Sequence, residues 1–221
     1  MLDLCGGIDE AGRGPVIGPL VIGCVVLDNE GRERLAELNV RDSKRVSPKR
    51  RTKLEPEIKK HAIEWSMRII NPAEIDRLRK KHSLNAIEAA KTAEIITSMN
   101  TIPATIYLDA VDNGASHYRD RVLNYINSLN DEFIIPNIIS EHKADDRYIE
   151  VAAASILAKV ERDRIIESIK IEHGDFGSGY PSDEKTSEFI RNLLKTGRIP
   201  DFVRKSWNTL EKSKQTRLGD Y

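Results

Sequence analysis

Asp9 and Glu10 are adjacent carboxylates at the end of an apolar run, and Gly12, Arg13 and Gly14 follow directly after Ala11. Two carboxylates that leave water together are costly to bury unless something neutralises them, and a divalent cation does so most simply. Glycines let a backbone come close to a bulky ligand with its N–H groups directed at it. The string Gly-Ile-Asp-Glu-Ala-Gly-Arg-Gly-Pro therefore points to a metal-dependent site that grips a phosphate- or sugar-bearing polymer.

Two further acidic positions extend the pattern. Asp109 ends the apolar run Ile106-Tyr107-Leu108, which places a carboxylate at the C-terminal end of a strand, the edge where α/β sheets bind ligands. It could equally cap a turn or helix. Asp145 precedes a long helical stretch and could cap it, with Asp146 competing for either role. Four carboxylates meeting in space would suit two hard cations, Mg²⁺ or Mn²⁺, which prefer oxygen ligands. Two such ions about 4 Å apart can activate a water and stabilise a leaving oxygen in phosphodiester hydrolysis.

The elements that must hold these residues are legible in outline. Leu2–Ile8 reads as a first strand and Val16–Leu27 as a second, bent one. Ile63, Trp65, Met67 and Ile69 alternate with polar residues, which predicts a half-buried third strand. Ile106–Leu108 and Phe133–Ile139 supply the fourth and fifth. Helices are predicted after the Ser47-Pro48 cap, with Pro56 ending or kinking the first, and after Asn71-Pro72. Others are expected over Leu84–Met99, Tyr118–Leu129 and Tyr148–Glu172, then one ending near Gly197 and a last one after Pro200. This order suits an α/β fold, a five-stranded mixed sheet flanked by helices. The Gly/Pro/Ser stretch from Gly174 to Ser182 is the best boundary, giving a main domain of residues 1–173 and a C-terminal helical extension of residues 174–221.

The 35 basic and 35 acidic residues cancel, so global charge does not announce a polyanionic partner. Local charge is different: Arg41–Lys60 holds nine Lys or Arg against three Asp or Glu, and Arg204–Arg217 five against one. Cys5 and Cys24 sit in apolar runs, as reduced thiols of a cytoplasmic protein would. No Cys/His metal spacing, signal peptide or membrane-length apolar stretch is present, and no phosphate-cradling Gly-x-x-x-x-Gly-Lys string argues for a phosphotransferase. His61, His82, His117 and His173 have no partner spacing.

Six strings together resemble ribonuclease HII, the type 2 ribonuclease H. They are Gly7 to Pro15; Asp42-Ser43-Lys44; Tyr107-Leu108-Asp109-Ala110; His142-Lys143-Ala144-Asp145; Val151 to Asp163; and Gly177 to Ser182. The His-Lys-Ala-Asp form resembles archaeal or eukaryotic members more than bacterial ones. The resemblance spans nearly the whole chain. It implies a ribonuclease H-like fold and a hydrolase that cuts the RNA strand of RNA/DNA hybrids and incises beside single ribonucleotides in duplex DNA, leaving 3′-hydroxyl and 5′-phosphate ends. The type 3 relatives carry an added N-terminal domain, for which the closeness of Asp9 to Met1 leaves no room.

Carried over by position, Asp9, Glu10, Asp109 and Asp145 are the implied catalytic metal ligands, Asp145 rather than Asp146 keeping the family's spacing to the Ala-Ala-Ala-Ser string. Gly12, Arg13 and Gly14 are implied to read the ribose 2′-hydroxyl through their backbone, with Tyr180 as the junction-sensing ring. Ser43, Lys44 and Lys143 are implied phosphate contacts, while Ser155 and Lys159 are expected to pack or hydrogen-bond near the site. At the far end, Gln215, Leu218 and Tyr221 have the spacing of a sliding-clamp-binding peptide, against which stands the plain reading of a frayed tail. The expected protein is a monomer. The alternative function is a hybrid-binding module without turnover, which would not need four carboxylates.

Overall fold

The computed structural model describes residues 3–40 and 46–207. Its five strands, β1 (Cys5–Ala11), β2 (Leu20–Leu27), β3 (Glu64–Ile70), β4 (Thr105–Asp109) and β5 (Asn137–Glu141), form one sheet in the order β3-β2-β1-β4-β5. β1 and β2 are antiparallel, whereas β1, β4 and β5 run parallel, so the C-terminal ends of these last three share one edge. Among the described residues seven helices accompany the sheet: α1 (Asn29–Glu37), α2 (Pro48–His61), α3 (Pro72–Arg79), α4 (Leu84–Thr97), α5 (Ala115–Leu129), α6 (Ile149–His173) and α7 (Glu184–Thr196). Among the described residues no helix is long and apolar enough to cross a membrane.

Backbone chemistry explains where the elements depart from the sequence reading. The second strand starts at Leu20, not Val16, because Gly18 takes a left-handed φ of +88° just before Pro19. Val16 and Ile17 instead bond elsewhere, Val16 N–H to Gly179 O at 2.8 Å and Ile17 in a bridge with Val203. The fifth strand starts at Asn137, not Phe133, since Pro136 has no N–H to give the ladder; the first donor is Asn137, to Ala104 O at 3.1 Å. Pro56 does not end α2, which continues to His61. It lies on the exposed side, where the carbonyl it leaves unbonded can meet water, while Leu54 and Ile58 anchor the helix in the core.

Of the alternating apolar residues, Ile63 just before β3 and Trp65 and Ile69 on it are 46%, 39% and 44% exposed, while Met67 packs against the core. β3 is an edge strand, and the Lys59 ammonium lies 4.3 Å from the Trp65 ring centre. The short helix α1 was not foreseen; only Gly31 and Leu35 of it are buried, and it is held by Asp28, whose Oδ1 accepts from Gly31 N–H at 2.8 Å. No helix follows Pro200 as far as residue 207, and the remainder of that expectation lies outside the described residues.

The chain divides into two compact units, each drawn from three stretches. The first comprises Met1–Ala11, Val21–Arg68 and Ser83–Glu161, and holds most of the sheet. Its core joins β2, α1 and α2 to the small-residue start of α6, with Val25, Leu27, Leu35, Ile58, Ala153 and Leu157 buried together. The second comprises Gly12–Leu20, Ile69–His82 and Arg162–Tyr221, with a core around Val16, Ile17, Ile166, Phe176, Ile190 and Val203.

Candidate active site

In the first unit, β1 presents Asp9 and Glu10 at its C-terminal end, and β4 ends on Asp109. The parallel register pairs Ile8 with Leu108, so Asp9 and Asp109 are the next residues along neighbouring strands. Beyond β5 the chain turns back through Lys143, which adopts φ 59° and ψ 41°, into a short 3₁₀ turn over Ala144–Asp146. The Ala144 N–H donates to Asp109 Oδ1 at 2.8 Å, which ties this turn to the end of β4. Asp145 is 2% exposed, whereas Asp146 and Lys143 are exposed.

Asp9 is buried, and its Oδ1 accepts the Glu10 N–H at 2.7 Å. Burial first, and the charge of Asp109 second, push its carboxyl up to about 7. Ser155 and Lys159 oppose this, the one by a hydrogen bond to the carboxylate, the other by its positive charge. Both come from α6, one turn apart, and reach Asp9 because that helix lies hard against the strands. A Cβ at Gly7 would collide with the backbone of Glu150 and Val151, and one at Gly23 would stand 2.5 Å from Ala154 O. The sequence places Ser155 and Lys159 near the site, packing or hydrogen-bonding there, but not among the candidate catalytic or binding residues. Their signal was the i, i+4 spacing behind a run of alanines, which marks a helix face able to approach a strand closely.

Among the described residues no group of three or more His, Cys, Asp or Glu stands close enough to hold an ion. In kind, however, the donors fit a hard cation: they are carboxylate oxygens, and the burial and the repulsion from Asp109 that raise Asp9 are what a bound dication would offset.

In the second unit, Gly12 has φ +91°, and a Cβ there would lie 2.5 Å from Pro19 O. The Gly12-Arg13-Gly14 backbone is gripped by the fully buried Arg204, whose Nη1 donates to Arg13 O at 3.1 Å and whose Nε donates to Gly18 O at 2.9 Å. Trp207 Nε1 donates to Gly14 O at 3.1 Å. Tyr180 is 42% exposed, and its ring edge would be 3.2 Å from a Cβ at Gly14. Thr186 fixes the Tyr180 segment by accepting from Gly179 N–H at 3.0 Å and donating to Phe176 O at 2.8 Å. Arg204, Trp207 and Thr186 escaped the sequence reading, because nothing in a linear string says which distant side chain will bond a loop's carbonyls. Ser43, Lys44, Gln215, Leu218 and Tyr221 lie outside the described residues.

The profile of the family described as Ribonuclease HII matches residues 6–210. The chain belongs to the ribonuclease HII family. The Ribonuclease HII of Methanococcoides burtonii is 44% identical over 208 residues, covering 93% of this chain and 97% of that one. Archaeal members are thus among its relatives. The crystal structure of ribonuclease H2 from Pyrococcus horikoshii OT3 superposes with a TM-score of 0.88 at 38% identity, covering 98% of this chain and 100% of that one. The RNase HII in a PCNA:RNase HII complex from Archaeoglobus fulgidus superposes with a TM-score of 0.84 at 38% identity and the same coverage. Family membership makes this chain a ribonuclease H, an endonucleolytic hydrolase acting on RNA/DNA hybrids with divalent-metal dependence.

Proposed function

We propose that this ribonuclease HII also incises duplex DNA at single ribonucleotides, by phosphodiester hydrolysis at two Mg²⁺ or Mn²⁺ ions held by Asp9, Glu10, Asp109 and Asp145. The observation that carries the reading is the buried Asp9, destabilised as an anion by Asp109 on the neighbouring strand. A fold keeps two mutually repelling carboxylates at a strand edge when a cation is their working partner. Ions held there would activate a water and stabilise the departing 3′ oxygen. Ser155 and Lys159 keep Asp9 ready to give up its proton. A hybrid-binding module without turnover would have no use for this repulsion.

The ribose-reading role goes to Gly12, Arg13, Gly14 and Tyr180. Only the 2′-hydroxyl distinguishes a ribonucleotide from its neighbours, and it both donates and accepts hydrogen bonds. A loop whose backbone is clamped by Arg204 and Trp207 can present peptide groups to it in one fixed geometry. Lys143, exposed at its turn, and Ser43 and Lys44 are assigned to backbone phosphates, which position a duplex without reading bases. Gln215, Leu218 and Tyr221 are assigned to a sliding clamp, a reading supported by the clamp complex of the Archaeoglobus fulgidus relative. Cys5 and Cys24 are both free thiols, which suits work in the cytoplasm.

The test compares three duplexes: a hybrid, a DNA duplex with one ribonucleotide, and plain DNA. Incision of the first two, leaving 3′-hydroxyl and 5′-phosphate ends, is expected. Failure to cut at the lone ribonucleotide while cutting the hybrid would restrict the enzyme to hybrids.

A further inference from the structure

Arg162 is the most anomalous charged group in the second unit. It is 7% exposed, and its Nε and Nη2 are buried with no hydrogen-bond partner among the described residues. Burial pulls its pKa downward. A buried guanidinium with two donors unpaired costs stability, and folds keep such a group mainly where it works. Its surroundings show what the work is. A methyl group on Gly12 would stand 2.6 Å from both Cδ and Nε of Arg162, so the side chain occupies the space that this glycine leaves open. A Cβ at Gly179 would be 3.8 Å from Nη2, and Gly179, like Gly12, has a positive φ. The guanidinium carbon lies 5.8 Å from the centre of the Tyr180 ring, within cation–π range. One side chain thus supports the first residue of the Gly12-Arg13-Gly14 loop and the ring of Tyr180 together.

We infer that Arg162 is a positioning residue for ribose recognition: it sets the spacing between the Gly12 backbone and the Tyr180 ring, and the fold retains it for that purpose at a cost in stability. The inference rests on the reading that this loop and Tyr180 recognise the ribonucleotide. Arg162 acts through them, since its two unpaired donors are shut off from solvent.

The experiment measures incision of a DNA duplex with one ribonucleotide, and melting temperature, for Arg162→Met, Arg162→Lys, Tyr180→Ala and the Arg162→Met/Tyr180→Ala pair. Arg162→Met should lose about tenfold in incision rate, while melting no lower than the wild type because two buried, unpaired donors have gone. Arg162→Lys should recover part of the rate, since it keeps the charge over the ring. In the double variant the Arg162 change should cost less than about twofold more, because both changes disable one unit. Wild-type incision by Arg162→Met, a multiplicative loss in the double variant, or a rate loss matched by a lower melting temperature would each overturn the inference. Normal incision by Tyr180→Ala would overturn the underlying reading and the inference with it. Impaired Tyr180→Ala beside intact Arg162→Met would overturn the inference alone.

Discussion

Asp9 keeps its proton to about pH 7 in the metal-free fold, and this has consequences in solution. An unfolded aspartate ionises near 3.8, so between about pH 4 and 7 the unfolded chain has released a proton that the folded chain still holds. The unfolded state then binds fewer protons, and stability of the metal-free protein should fall as pH rises through that window, by up to about 4 kcal/mol, and level off above it. Asp9→Asn should flatten the slope; chemical denaturation in chelator at several pH values reads this directly. Ser155→Ala or Lys159→Met removes a group that favours ionised Asp9. Either should move the acid limb of the cleavage-rate profile to higher pH, and a limb that stays put would remove these residues from the site. At this scale the acidic pair was plain in the sequence because two adjacent carboxylates after an apolar run are conspicuous. Ser155 and Lys159 were visible only as helix neighbours, since their partner lies on a distant strand.

At the scale of elements, the contact between β1 and α6 decides where Ser155 and Lys159 fall. Gly7 permits it, because any side chain there would meet the backbone of Glu150 and Val151. Gly7→Ala should therefore destabilise the protein by about 3 kcal/mol and slow cleavage as α6 is pushed from Asp9; melting temperature and rate should fall together. The strands that carry the carboxylates were legible because their apolar runs end sharply at Asp9-Glu10 and Asp109. Strand starts were not, as the left-handed Gly18 sets that of β2 and the missing N–H of Pro136 that of β5, constraints that hydrophobicity does not encode. Alternation identified β3 as a half-buried strand but not which of its side chains are covered: Met67 packs on the core, whereas Trp65 and Ile69 are exposed. The 3₁₀ turn that buries Asp145 depends on left-handed Lys143, a conformation that residue type did not announce.

At the scale of the molecule, balanced charge hid the nucleic-acid partner, and six short strings spread along the chain disclosed the family. The partition into two units was not legible, because each is drawn from three separate stretches that only the fold collects. The clamp assignment belongs here as well. Removing Leu218–Tyr221 should weaken binding to a sliding clamp at least tenfold while leaving incision of free duplexes unchanged; equal clamp affinity of the shortened chain would leave the tail without that role. In the proposed mechanism Asp9 and Asp109 share divalent cations. The decisive measurement follows a DNA duplex containing one ribonucleotide, incubated with wild type, Asp9→Asn and Asp109→Asn, in Mg²⁺ or with chelator. Incision by the wild type only when Mg²⁺ is present, and binding without incision by both variants, is the predicted result. Incision at the wild-type rate by either variant, or by the wild type in chelator, would contradict it.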